Sequence, residues 1–140
     1  MVVAGIALIV AIVIPQFSKI RERETLKSGV ENTVGALDKA RNKTLASVAS
    51  SSYGVHFQSD RVVIFKGIVY SVNDANNEVI TLTTPSSISN VTLGGVSGSS
   101  GDVYFNRIYG TPNTTGTVTV STGNYSKVIT ISNTGSASSN

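Results

Sequence analysis

From Met1 to Ile14 the chain carries no charge and no strongly polar side chain, and this run stops at Pro15-Gln16-Phe17, ahead of a charged stretch from Lys19 to Lys27. As a helix it would extend about 21 Å at roughly 1.5 Å per residue. The hydrocarbon core of a bilayer is about 30 Å thick and takes about 20 apolar residues to cross. The run is short for a span taken alone and too apolar for a water-facing surface, so it reads as a membrane anchor or as the buried core of a filament. A secretory signal peptide has a basic segment before its apolar run and small residues at its cleavage site. Here the run closes on the bulky Val13-Ile14-Pro15-Gln16-Phe17. Pro15 removes a helical donor and is expected to kink the helix near Ala11.

Past that boundary the pattern becomes amphipathic. Ile20, Leu26, Val30, Val34, Leu37, Ala40, Leu45 and Val48 recur mostly at spacings of three or four, which predicts a helix over residues 18–52 with one apolar face. Leu26, Val30, Val34 and Leu37 are its candidate packing residues. Gly29 and Gly35 weaken a helix by about 1 kcal/mol each relative to Ala unless they admit a close neighbour. Arg21, Glu22, Arg23 and Glu24 mix both signs, which favours pairing with a neighbouring helix over a uniformly basic lipid-binding patch.

At Tyr53 the period changes to two. Tyr53, Val55 and Phe57 share one face of a strand, Ser59-Asp60 turns, and Arg61 to Lys66 returns as a hairpin partner. Further strands are expected at Ile68–Val72, Glu78–Leu82, Ile88–Leu93, Asp102–Ile108, Gly116–Ser121 and Lys127–Ile131, separated by Gly- and Asn-rich turns. With no helical crossover between them the sheet must be antiparallel. The organisation expected is an anchor over 1–17, an amphipathic helix over 18–52, an antiparallel β domain over 53–134 and a flexible tail over 135–140. The fold class is α+β: a long N-terminal helix packed on an antiparallel β domain, with two sheets the favoured arrangement.

Gly5, Ala11-Ile12-Val13-Ile14-Pro15-Gln16-Phe17 and the amphipathic helix after them resemble the N-terminal helix of type IV pilins and type II secretion pseudopilins. Ala40-Arg41-Asn42-Lys43, the hairpin from Tyr53-Gly54-Val55 to Lys66-Gly67, and the ordered segments Asp102–Phe105, Gly116–Val120 and Val128–Ser132 are similar to minor pseudopilins of the H type and their pilus counterparts. The resemblance implies a structural subunit at or near the tip of a thin filament, held in a bacterial inner membrane before assembly with its β domain outside the cytoplasm. Other pilin or pseudopilin subunits would be its partners. It implies anchoring and helix packing by Gly5, Ile6, Leu8, Ile9, Ile12, Ile14, Pro15 and Phe17, with local loss of helicity between Gly5 and Pro15 on assembly. It also places the family's processing glycine and its following glutamate upstream of Met1.

Chemistry is sparse beside this. With no cysteine there is no disulfide or thiolate metal site. His56 is the only histidine, and a general base needs an orienting partner and a substrate. After the helix the carboxylates are Asp60, Asp74, Glu78 and Asp102, none placed as the close pair of a glycosidase. No catalytic residue, cofactor or small-molecule substrate is assigned. Asp74, Asn76 and Glu78 alternate through a turn that could offer oxygens to calcium, although such runs are also ordinary turn language; no metal ligand is assigned. Two alternatives to the filament reading stay open: a membrane-tethered β module for adhesion or binding, and a DNA-binding minor pilin for DNA uptake. The β domain's cations for the latter are Arg61, Lys66, Arg107 and Lys127. The DNA-capturing relatives carry arginines after a glycine near the C-terminus, and Thr134-Gly135-Ser136-Ala137-Ser138-Ser139 has none.

Overall fold

A computed structural model describes the secondary structure of residues 2–140 and the side chains of residues 20–140. The fold is α+β, one long helix laid against two antiparallel sheets. Helix α1 (Val2–Leu45) buries Thr25, Leu26, Gly29, Val30, Thr33, Ala36, Leu37, Ala40 and Thr44, a single stripe at helical spacing. The stripe is built largely from small residues, which lets the helix sit close to the sheets. Three threonines inside it are satisfied locally: Thr25, Thr33 and Thr44 donate to the carbonyls of Glu22, Gly29 and Ala40 at 3.0, 2.8 and 2.8 Å. Gly29 lies against Ser86 and Val120, whereas Gly35 faces open space.

α1 stops at Leu45, short of the expected boundary at residue 52. Thr44 Oγ1, already donating to Ala40, accepts the Tyr53 amide at 2.9 Å and so requires the chain to double back. Ser47, Ala49 and Ser50 take positive φ values of 54°, 51° and 51° to make that reversal through a short 3-10 turn at Val48–Ser50. Consequently Leu45 and Val48 are exposed, as is Ile20 at the other end of the described helix face.

The strands are β1 (Tyr53–Phe57), β2 (Arg61–Lys66), β3 (Glu78–Thr81), β4 (Ser87–Leu93), β5 (Val96–Gly98), β6 (Gly101–Tyr104), β7 (Gly116–Ser121), β8 (Ser126–Ile131) and β9 (Ala137–Ser139). One sheet has the order β3-β2-β1-β6 and the other β5-β4-β7-β8-β9. Val55 pairs with Ile64 and Val103 across the first sheet, and Val118 pairs with Val91 and Ile129 across the second. These inward residues join Leu26, Val30, Leu37 and Ala40 of α1 in one continuous core, with Val34 packed at its margin. A bulge between Ile88 and Asn90 explains how Ile88 and Val91, three apart, both point into that core.

Two expected elements differ. Ile68–Val72 forms no strand: Gly67 (φ 97°) turns the chain out, and Asn77 Nδ2 donates to the Ser71 carbonyl at 2.6 Å to close a loop. Ile68, Val69 and Val72 are exposed on it. Residues 135–140, expected to be a loose tail, instead supply edge strand β9, with Ala137 opposite Ile131 and packed against the core. The strand expected over Asp102–Ile108 ends at Tyr104; Phe105 makes one further bridge to Pro112 before the chain turns through Asn106–Gly110.

Candidate functional site

Two places collect functional side chains. The first is the outer face of the four-stranded sheet. His56 and Asp102 pair directly across β1 and β6, so strand register alone puts their side chains side by side. His56 Nδ1 donates to Asp102 Oδ1, and Nε2 accepts from Gln58 Nε2 at 3.0 Å, the tautomer that satisfies both contacts. Tyr70, from the loop that was expected to be a strand, stacks on the imidazole with ring centroids 3.8 Å apart and planes 4° from parallel. The same tyrosine meets Phe65 edge-on at 5.9 Å. Phe65 and Val63 face away from the main core yet are each only 1% exposed.

The Phe65 ring lies over Gly54, where a Cβ would stand 2.5 Å from Phe65 Cζ. Glycine is required at 54 by that close approach. With both ring nitrogens bonded and one face covered, His56 serves here as a tie between β1, β6 and the loop. A general base would need a ring nitrogen aimed at a substrate.

The second place is a groove of about 460 Å³ between α1 and the β8–β9 edge of the five-stranded sheet. Leu26, Val30 and the ring of Tyr125 form an apolar floor. Arg23, Lys27 and Lys127 stand around it, with Glu31 the one acidic group and Ser126 and Ser139 along the sheet side. Arg23 lies over the Tyr125 ring, 5.1 Å from its centroid. Lys127 Nζ donates to the Asn140 carbonyl at 3.0 Å. None of the three cations belongs to an ion pair among the described residues, where the pairs join Lys39 and Lys43 to Glu78, His56 to Asp102, and Arg61 to Asp60. The groove follows from sequence on both sides. Arg23 and Lys27 flank Leu26 and Val30 on the helix, and alternation puts Lys127 on the face of Ile129 and Ile131 that packs against the core. That alternation was the available signal for Lys127; nothing in the linear sequence connects it to Arg23, about a hundred positions away.

The candidate DNA contacts are not brought together. Arg61 and Lys66 are five apart on β2 and so lie on opposite faces of their sheet. Arg61 is engaged by Asp60 through two contacts, at 3.1 and 2.9 Å, and that hydrogen-bonded guanidinium lowers the Asp60 carboxyl below its usual value. Arg107 sits in the turn after Phe105, and Lys127 lines the groove.

The acidic turn is also dispersed. Asp74 Oδ1 accepts the Asn76 amide at 2.8 Å, while Glu78 points to α1 and accepts from Lys39 at 2.5 Å. Among the described residues no group of three or more His, Cys, Asp and Glu is placed to hold a metal ion. Nor, among them, is any helix long and apolar enough to cross a membrane. The anchor candidates Gly5, Ile6, Leu8, Ile9, Ile12, Ile14, Pro15 and Phe17 lie outside the residues whose side chains are described.

No family model, curated protein or solved structure matches this chain.

Proposed function

We propose that the protein is a structural subunit of the pilin-like kind, which anchors in a membrane through its uncharged N-terminal run and assembles through that helix into a thin filament. The observation that carries this reading is the division of labour along α1. Its described part is rooted by the Thr25–Thr44 stripe in a core shared with both sheets, while the sequence before Lys19 is uncharged and so suited to lipid or to equivalent helices. A helix held this firmly at one end transmits force between an assembled core and a folded domain. The mixed charges from Arg21 to Glu24 lie at the junction, where neighbouring helices would pair.

Ile9→Asp tests it. A carboxylate at mid-bilayer costs about 2.5–3.5 kcal/mol on the insertion scale, so this variant should leave the membrane fraction and fail to enter filaments in cells, with its β domain still folded. Membrane retention and assembly equal to the parent protein would sink the proposal. The DNA-binding alternative gains nothing specific from the dispersal of Arg61, Lys66, Arg107 and Lys127.

A further inference from the structure

We infer that the groove between α1 and β8 binds an anionic phospholipid, with the phosphate held by Arg23, Lys27 and Lys127 and the first methylenes laid on Leu26, Val30 and Tyr125. Three features favour this ligand class. The rim carries three cations against the single carboxylate of Glu31, with Tyr125 the remaining titratable group on the lining, so it attracts an anion. The floor is apolar, with Leu26 and Val30 only 5% and 7% exposed, so a bare inorganic anion would leave it unused. The volume, about 460 Å³, suits part of a lipid and falls within the range of small-molecule sites.

Position supplies the fourth argument, and it rests on the anchor reading given above. Arg23 follows Phe17 by six residues, about 9 Å of helix. The headgroup layer on each side of a bilayer is about 5–7 Å deep, and long basic side chains reach along apolar surface toward it. The Arg23 end of the groove would therefore open onto the headgroups while the subunit waits in the membrane. A DNA duplex offers phosphates in a continuous line and no acyl groups, which fits a flat basic stripe better than this short concave site.

The test uses the full chain in a neutral detergent, with native mass spectrometry reading lipid retention. Phosphatidylglycerol should be retained over phosphatidylcholine of the same acyl length. Arg23→Gln with Lys127→Gln should weaken that retention about 25-fold, at about fivefold per charge. Lys66→Gln with Arg107→Gln removes the same formal charge away from the groove and should change nothing. Equal loss in both pairs, or no headgroup preference in the parent protein, would overturn the inference.

Water-soluble dihexanoyl phosphatidylglycerol and glycerol phosphate form a second arm. The lipid should bind at least about tenfold more tightly because its methylenes reach the floor; equal binding would reduce the groove to an anion site and refute the lipid assignment. This arm does not need the anchor. If Ile9→Asp stays in the membrane, the anchor reading fails, and binding of the short-chain lipid still decides the groove. If Ile9→Asp is released as expected but the short-chain lipid does not bind, the groove fails alone.

Discussion

Gly29 and Gly35 share one helix and one intrinsic propensity but meet different surroundings, so replacing each by Ala separates helix preference from packing. In a helix interior Gly→Ala is worth about 0.8–1.0 kcal/mol. At Gly35 a Cβ meets nothing within 4 Å, and the full gain should appear. For a chain of this length that corresponds to a rise in Tm of about 3–4 °C. At Gly29 the new methyl stands 3.2 Å from Ser86 Oγ and 3.3 Å from Val120 Cγ1.

Neither neighbour moves freely. Ser86 Oγ is held to the Thr83 carbonyl at 2.5 Å, and Val120 is fully buried. Gly29→Ala should therefore be less stabilising than Gly35→Ala by about 1 kcal/mol or more, and Gly29→Val should cost about 1–3 kcal/mol net by overpacking. Urea unfolding followed by circular dichroism, with all variants in the same detergent, measures the differences directly. Equal stabilisation by the two alanines, or a Gly29→Val variant within about 0.5 kcal/mol of the parent, would refute the placement of α1 against Ser86 and Val120.

Leu37→Ala removes a side chain that is 1% exposed and should cost about 2–5 kcal/mol in the same assay. Tyr70→Ala uncovers Phe65 and one face of His56; amide exchange in residues 67–77 should accelerate well before global unfolding, and unchanged protection there would mean the loop is held by something other than Tyr70. The Asp60 carboxyl is held low by Arg61. Whatever stability it contributes is present above its unfolded value and lost as the pH falls through the depressed folded one. In Arg61→Gln the Asp60 carboxyl should titrate higher by carbon-13 NMR, with little change in stability at neutral pH because the pair is exposed. Lys39→Ala, which removes the main partner of Glu78, should likewise shift stability by no more than about 1 kcal/mol.

The parts legible in the sequence are those where one periodicity dominates. Leu26, Val30 and Leu37 announce the helix face, and the alternation from Tyr53 to Phe57 and its return from Arg61 announce the first hairpin. Thr33 and Thr44 are invisible to a hydrophobicity pattern because their hydroxyls are satisfied by the helix's own carbonyls. Ile68, Val69 and Val72 have strand composition but no neighbour to pair with once Gly67 takes its positive φ. β9 errs the opposite way. Ala137, Ser138 and Ser139 carry little strand preference, and register with Ile129–Ile131 holds them in the sheet. The groove needed residues 23, 27 and 127 to be brought together, and its one local hint was Lys127 falling in step with Ile129 and Ile131.

The strand order sets a timetable for making this protein. β6 is the outer neighbour of β1, yet it lies at Gly101–Tyr104, after β4 and β5 have already been laid into the other sheet. A chain emerging in order would hold β1 with one bare edge while nearly fifty further residues, 58 to 100, are produced. An unpaired edge beside a cluster as apolar as Val62–Phe65 invites pairing with another chain. Neither sheet can be completed before the other has been started, so the two must close together. Whatever escorts the nascent chain has to shield that edge until the strand from Gly101 arrives.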